Sequence, residues 1–452
     1  MRNIGFTISL LFMTMGLFAQ NITLRGTIPG LAGDDVYLVQ SFAGPQKVVD
    51  TARVNPMGTF TFTMQGRPVG MYQVLTNTGM AVRLLYNDRP VDFKTSSFQQ
   101  GAKVNIISSA ENKIFYQYQN VEESSSDKLK LLKPVVEFYP PSDPFYQTVK
   151  SKAEHLQNEI QQTATRLVTK YPRTMAAKFI QLDRPVAVPL NLTTDEQTRL
   201  LKKEYFKYVN FKDTLILRSD LFTKKIVGYL ALYQQPGMTK QDVEEAFMPA
   251  VDTLLAKSIV NEKVYLFTLK YLMGGFDEFG FQKLLLHIAK HSKLSSLPGH
   301  SALKSALQEK IYETIHLAPG QPAPDFKART LNGQELHLYD VQAKNTLLIF
   351  WASWCPHCTA SLPGLEKYYN PRDTQKLQVV AVSIDTDKKA VEKAVKDEGY
   401  QWPVIAQLKG WDSPIAETYN VSATPTFFLL DQNKRIVLKT TDVKTLESFL
   451  NH

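Results

Sequence analysis

The sequence predicts a multidomain protein: an all-β sandwich, an all-α middle region and a C-terminal α/β domain. Through residues 20–103 apolar side chains alternate with period two, the pattern of short half-buried strands. Through 104–317 they recur at helical spacing, broken by Pro-Gly, Gly-Gly and Leu-Pro-Gly. From 318 to 452 apolar strand-like runs alternate with an amphipathic Lys/Glu-rich stretch. The apolar fraction of 44% supplies material for separate cores.

In the first region, strands are expected at 22–28, 36–39, 59–64, 71–75, 82–86 and 91–94. The turn Asn55-Pro56-Met57-Gly58 leads into the clean alternation Thr59 to Met64. Short strands at this spacing predict a small sandwich. No catalytic constellation lies in it, so docking, or plain spacing, is its expected role.

In the second region, Asp143-Pro144 starts a long helix with proline in the permitted first turn. Tyr146, Val149, Ala153, Leu156, Ile160, Ala164, Leu167 and Tyr171 keep its apolar spacing, and Pro172 stops it. Thr193-x-x-Glu196 reads as a capping box. Further helices are expected at about 219–234, 240–259, 262–273, 278–291 and 301–315. The aromatic stripe Tyr205, Phe206, Tyr208 and Phe211 reads as core rather than as a ligand box.

In the third region, Asn345 to Phe350 reads as a buried strand and Thr359 to Tyr369 as a helix. Between them stand the only two cysteines, in Trp354-Cys355-Pro356-His357-Cys358. A Cys-x-x-Cys at a strand-to-helix turn is a dithiol/disulfide redox pair. Free N–H groups at the helix start favour an anionic sulfur at Cys355. Such thiols have pKa values of roughly 3.5–7.5, against about 8.5 for free cysteine. Cys355 is therefore the expected attacking thiolate and Cys358 the resolving thiol. A zinc site competes with this reading, but needs four ligands, and no second Cys/His cluster is present. No metal is expected, and no cofactor beyond the Cys355–Cys358 disulfide itself.

Trp-Cys-x-x-Cys after an apolar strand resembles the active site of the thioredoxin superfamily. Three further motifs extend the resemblance from about residue 318 to the C-terminus. Val421 to Asp431 is similar to the superfamily's proline loop and next strand. Gly320 to Phe326, followed by the Asn332-Gly333 hairpin, resembles the start of the TlpA/ResA branch and of peroxiredoxins. Leu377 to Asp385 is similar to a central strand, with a helix expected from about Thr386 to Glu398. The resemblance implies a thioredoxin fold and thiol–disulfide exchange. It also implies a cis Pro425 packed against the cysteines and a Thr424 backbone that pairs with client peptides by strand addition. The β and helical regions resemble those that precede thioredoxin modules in exported bacterial proteins.

The chain departs from the family in ways that bear on mechanism. Ile349 stands where thioredoxins place a buried Asp, and Ser361 where the TlpA/ResA branch commonly has Glu. Cys358 is thus left without an obvious proton acceptor. Asp385, at the end of a central strand, is a candidate replacement; a turn or cap is its other reading. A cationic His357 would stabilise the Cys355 thiolate, and Pro356-His357 is the dipeptide of the oxidant DsbA. That argues for an oxidising couple, while the overall layout argues for a TlpA-like reductase. The span between such couples is roughly 150 mV. The layout carries more weight, because the partner that recharges the pair sets its direction. A peroxidatic site would need Thr or Ser where Ala352 stands.

Met1-Arg2-Asn3, the apolar run Ile4 to Phe18 and the site Ala19-Gln20 read as a secretory signal peptide, residues 1–19. No cysteine follows, so a lipoprotein anchor is not expected and the periplasm is. The net charge of +9 is modest for 452 residues, and no motif points to nucleic acid. Expected partners are client proteins with disulfides or thiols and an upstream membrane electron donor or acceptor. The competing class is a binding protein whose redox pair only senses state.

Overall fold

The computed structural model describes residues 22–44, 46–79, 81–96, 103–369 and 373–451. The expected signal peptide lies outside the described residues. One compact unit takes the chain up to Thr239 together with Pro249–Tyr265; a second takes Lys240–Met248 and the chain from Leu266 onward. The division therefore falls inside the helical region.

The first unit opens with eight strands among its described residues: β1 (Thr23–Thr27), β2 (Asp35–Gln40), β3 (Lys47–Arg53), β4 (Thr59–Thr63), β5 (Gly70–Thr76), β6 (Ala81–Tyr86), β7 (Val91–Thr95) and β8 (Val104–Ser108). They form two sheets, ordered β4-β1-β7-β8 and β3-β2-β5-β6. Leu24, Phe60, Phe62 and Phe93 of the first sheet meet Leu38, Tyr72, Val74 and Leu84 of the second in one core. This is the sandwich that the alternation predicts. β3 was not expected. It is an edge strand with no fully buried residue, so no core pattern marks it. β8 likewise carries the sheet past residue 103, into the stretch read as helical.

The helices of this unit begin with α1 (Ala110–Phe138), α2 (Pro144–Lys170), α3 (Met175–Asp183), α4 (Thr194–Glu204) and α5 (Leu221–Ala231). α1 runs through Pro134 without ending there. α2 starts at Pro144, with Asp143 accepting the Phe145 N–H, and buries Val149, Leu156, Ile160 and Leu167. The Thr193–Glu196 capping box forms at the start of α4. Phe206 and Phe211 are buried, with Phe206 4.6 Å from the Tyr229 ring, so these two of the stripe are core, while Tyr205 and Tyr208 are half-buried.

α6 (Lys240–Ser258) and α7 (Glu262–Glu278) each contribute to both units, while α8 (Gln282–His291) and α9 (Ala302–His316) lie in the second. The expected break at Gly274-Gly275 does not occur. Buried Leu272, Met273 and Phe276 on either side of the pair are packed as helix, and this outweighs about 1 kcal/mol of poor propensity per glycine.

The rest of the second unit is a thioredoxin fold. A hairpin of β9 (Lys327–Arg329) and β10 (Glu335–His337) turns at Gly333, whose φ of 81° suits glycine. Then come β11 (Asn345–Trp351), α10 (Pro356–Ser361), β12 (Leu377–Ser383), α11 (Lys388–Glu398), β13 (Val404–Ala406), α12 (Pro414–Thr418), β14 (Thr426–Leu430), β15 (Ile436–Thr440) and α13 (Val443–Leu450). The sheet order is β13-β12-β11-β14-β15; β12 runs parallel to β11, and β14 antiparallel. Every residue of β14, and all of β11 except Asn345, is buried, as a central strand covered on both faces requires. α10 is shorter than the expected helix to Tyr369. Pro363 cannot donate to the α ladder, and the chain tightens there to a 3₁₀ turn over Pro363–Tyr368.

Candidate active site

β11 delivers the chain to the C-terminal edge of the sheet, where Cys355 caps the N-terminus of α10. The Cys358 N–H donates to the Cys355 sulfur at 3.3 Å, and the Thr424 carbonyl oxygen lies 3.3 Å from the same sulfur. Both cysteines are free thiols, with Cys358 completely buried and Cys355 nearly so. Burial pushes the Cys355 thiol up. Hydrogen bonds from the Cys358 thiol, the Thr424 side chain and the N–H groups of Cys358 and His357 outweigh it and hold Cys355 below the ordinary thiol value. Burial, reinforced by the hydrogen bond to Cys355, pushes Cys358 up to about 12. One thiol is thus more acidic than an ordinary cysteine and its neighbour less acidic.

The structure brings Thr424 and Pro425 to this pair, across a cis peptide bond. Pro356 occupies the first turn of α10. His357 is exposed; its main-chain N–H supports Cys355 and its carbonyl accepts the Ser361 hydroxyl. Trp354 is 58% exposed and meets Trp411 edge-to-face at 6.3 Å.

Asp385 is buried beside the turn that carries the cysteines. Its carboxylate accepts the Ser353 N–H (2.9 Å), the Ser353 hydroxyl (2.6 Å) and the Ser383 hydroxyl (2.7 Å). This is the geometry of a brace on the β11–α10 turn, the turn reading weighed for it above. Ile349 is buried between Ala381 and Phe427, and half-buried Ser361 is tied to its own helix, so neither replaces the family's acid.

Sequence reasoning missed Ser353, Ser383, Trp411 and Tyr419. Ser383 precedes Asp385 by two residues at the end of an expected strand, the one local signal available. Tyr419 packs 5.3 Å from the Phe350 ring and donates to the Pro324 carbonyl at 2.6 Å, tying the segment before β9 to the sheet. Among the described residues no group of three or more His, Cys, Asp or Glu is placed to hold a metal ion.

The chain matches the AhpC/TSA family over residues 319–439, and a domain of unknown function, DUF4369, over residues 22–115. It is 29% identical over 171 residues to thiol-disulfide oxidoreductase ResA of Geobacillus kaustophilus, covering 38% of this chain and 94% of that protein. It is 30% identical over 145 residues to ResA of Bacillus subtilis, covering 31% and 79%. A solved thiol-disulfide oxidoreductase from Bacteroides fragilis aligns at 28% identity and a TM-score of 0.27, over 29% of this chain and 98% of that one.

Proposed function

The chain belongs to the ResA-like thiol–disulfide oxidoreductase family, and from that premise we propose that it is an exported reductase of disulfides in envelope proteins. The observation that carries the reading is the pair of opposed thiols: Cys355 lowered at a helix cap, Cys358 buried and pushed up to about 12. The Cys355 thiolate attacks one sulfur of a client disulfide. A Cys355–client disulfide forms, and the client's other sulfur leaves and takes up a proton. Cys358 then loses its proton and attacks the Cys355 sulfur. The Cys355–Cys358 disulfide forms and the second client thiol departs. The client gains two electrons, and an upstream dithiol donor restores the pair. Thr424 supports the client strand, while Trp354 and Pro356 shape the approach to the sulfur.

Export rests on the basic, apolar and small-residue pattern of residues 1–19. The β-sandwich and helical regions select clients in this reading. Two measurements test it. Insulin reduction should show turnover with dithiothreitol as the electron source. Alkylation trapping in fractionated cells should find the pair mostly reduced and in the envelope. A mostly oxidised pair identifies an oxidase instead, and absence of turnover a sensor.

A further inference from the structure

The geometry points to a client-binding cleft between α9 and the proline loop, fitted to an extended, uncharged polar segment beside the client's cysteine. The inference rests on the oxidoreductase reading and adds where, and by what chemistry, the client is gripped. A cavity of about 570 Å³ lies between the α7–α9 helices on one side and the Asn420–Thr426 loop with β15 on the other. Ser422, Ala423 and Thr426 line it. Ala423 is the chain neighbour of Thr424, whose carbonyl stands 3.3 Å from the attacking sulfur. Consecutive Cα atoms are about 3.8 Å apart, so a peptide leaving the sulfur along this loop reaches the cleft within one or two residues.

The wall facing that loop comes from outside the family-matched segment. Glu313 of α9 accepts from Asn420 Nδ2 and from Lys439 Nζ, each at 3.0 Å. The Tyr312 hydroxyl of the same helix donates to the Thr418 carbonyl at 3.2 Å. Asn420 sits at a φ of 45°, so α9 holds a left-handed residue just ahead of the loop that meets the client. The cleft's charges are spent on each other: Lys439 pairs with Glu313 and Lys310 with Asp277. The exposed Ser422 hydroxyl remains for a ligand, while that of Thr440 already accepts the Asp442 N–H at 3.0 Å. A charged client side chain would have to compete with these ion pairs, whereas Ser, Thr or Asn would not.

The test compares the full-length protein with Ala318→Trp and Thr441→Trp, which fill the cleft from opposite walls. Each reduces a cystine peptide with Ser/Thr flanks and a small aryl disulfide that needs only the thiolate. The ratio of peptide to aryl-disulfide kcat/KM should fall about tenfold in either folded variant, through KM. With the unaltered protein, Ser/Thr flanks should give a lower KM than Lys or Glu flanks. An unchanged ratio overturns the cleft while leaving the oxidoreductase reading standing. The reverse order of flanks overturns the assigned chemistry. An unaltered protein inert toward both disulfides overturns the oxidoreductase reading, and the cleft falls with it.

Discussion

Asp385 holds Ser353 twice, through the main-chain N–H at 2.9 Å and the hydroxyl at 2.6 Å, across 32 residues of chain. Ser353 is two residues ahead of the attacking cysteine. The carboxylate therefore fixes the turn from which the sulfur is presented. Charge-assisted bonds of this kind contribute about 1.5–3 kcal/mol each.

Asp385→Asn should accordingly lower the free energy of unfolding by about 2–3 kcal/mol, because the new amide cannot accept all three donors. It should also raise the Cys355 thiol pKa as the turn loosens. Urea denaturation and a thiolate absorbance titration measure the two effects. If the carboxylate instead serves Cys358 as a base, stability and the Cys355 pKa will hold. The resolving step alone will slow, and mixed disulfides will accumulate.

The two cysteines should separate cleanly in trapping experiments. Cys358→Ala leaves the first attack intact and removes resolution, so a client should accumulate on Cys355. Cys355→Ala leaves a fully buried thiol pushed up to about 12, which should form few adducts near neutral pH. Non-reducing gels of the two variants from cells decide it. Adducts on the Cys355→Ala variant would reverse the roles.

The redox turn was legible in the sequence because its signal is local: strand, Cys-x-x-Cys and helix within one short stretch. Where α10 stops was less so, since Pro363 marks an end without saying that a 3₁₀ turn follows. β3 lacked a signal because an edge strand buries no full row of side chains. The unbroken α7 shows packing of Leu272, Met273 and Phe276 overriding the poor propensity of Gly274 and Gly275. At Asp385 a turn role was legible but its partner Ser353 was not, and nothing signalled the contact between Glu313 and Asn420. These partners lie 32 and 107 residues apart, and only the folded sheet brings them together.

At His357 the main-chain N–H supports the sulfur while the imidazole is exposed. Two substitutions distinguish the amide from the ring. His357→Ala keeps the donor and should move the Cys355 pKa by only a few tenths. His357→Pro removes the donor at a position in the first helical turn that tolerates proline. It should raise the thiol pKa and make the couple more reducing. Thiolate absorbance and glutathione equilibration measure both quantities. A large shift with alanine would restore the imidazole as the tuning group, and with it the more oxidising character inferred from Pro356-His357.

His337 on β10 lies between two carboxylates, with Nε2 2.5 Å from Asp325 and Nδ1 3.0 Å from Asp340. The hydrogen bond to Asp325, then that to Asp340, raises its pKa above the ordinary histidine value. A raised pKa means that the folded state holds this proton more tightly than the unfolded chain does. The stabilisation is therefore complete below the unfolded value of about 6.5 and is lost as pH rises through the higher folded value. Asp325 also belongs to the segment that Tyr419 anchors through Pro324, so the clamp fastens the hairpin to that segment. The unfolding free energy of the protein should decline over that interval, and His337→Gln should remove this part of the decline. Chemical denaturation at a series of pH values, with the His337 ring titrated by NMR, measures both. A ring midpoint at or below about 6.5 would mean that the two carboxylates do not hold the proton.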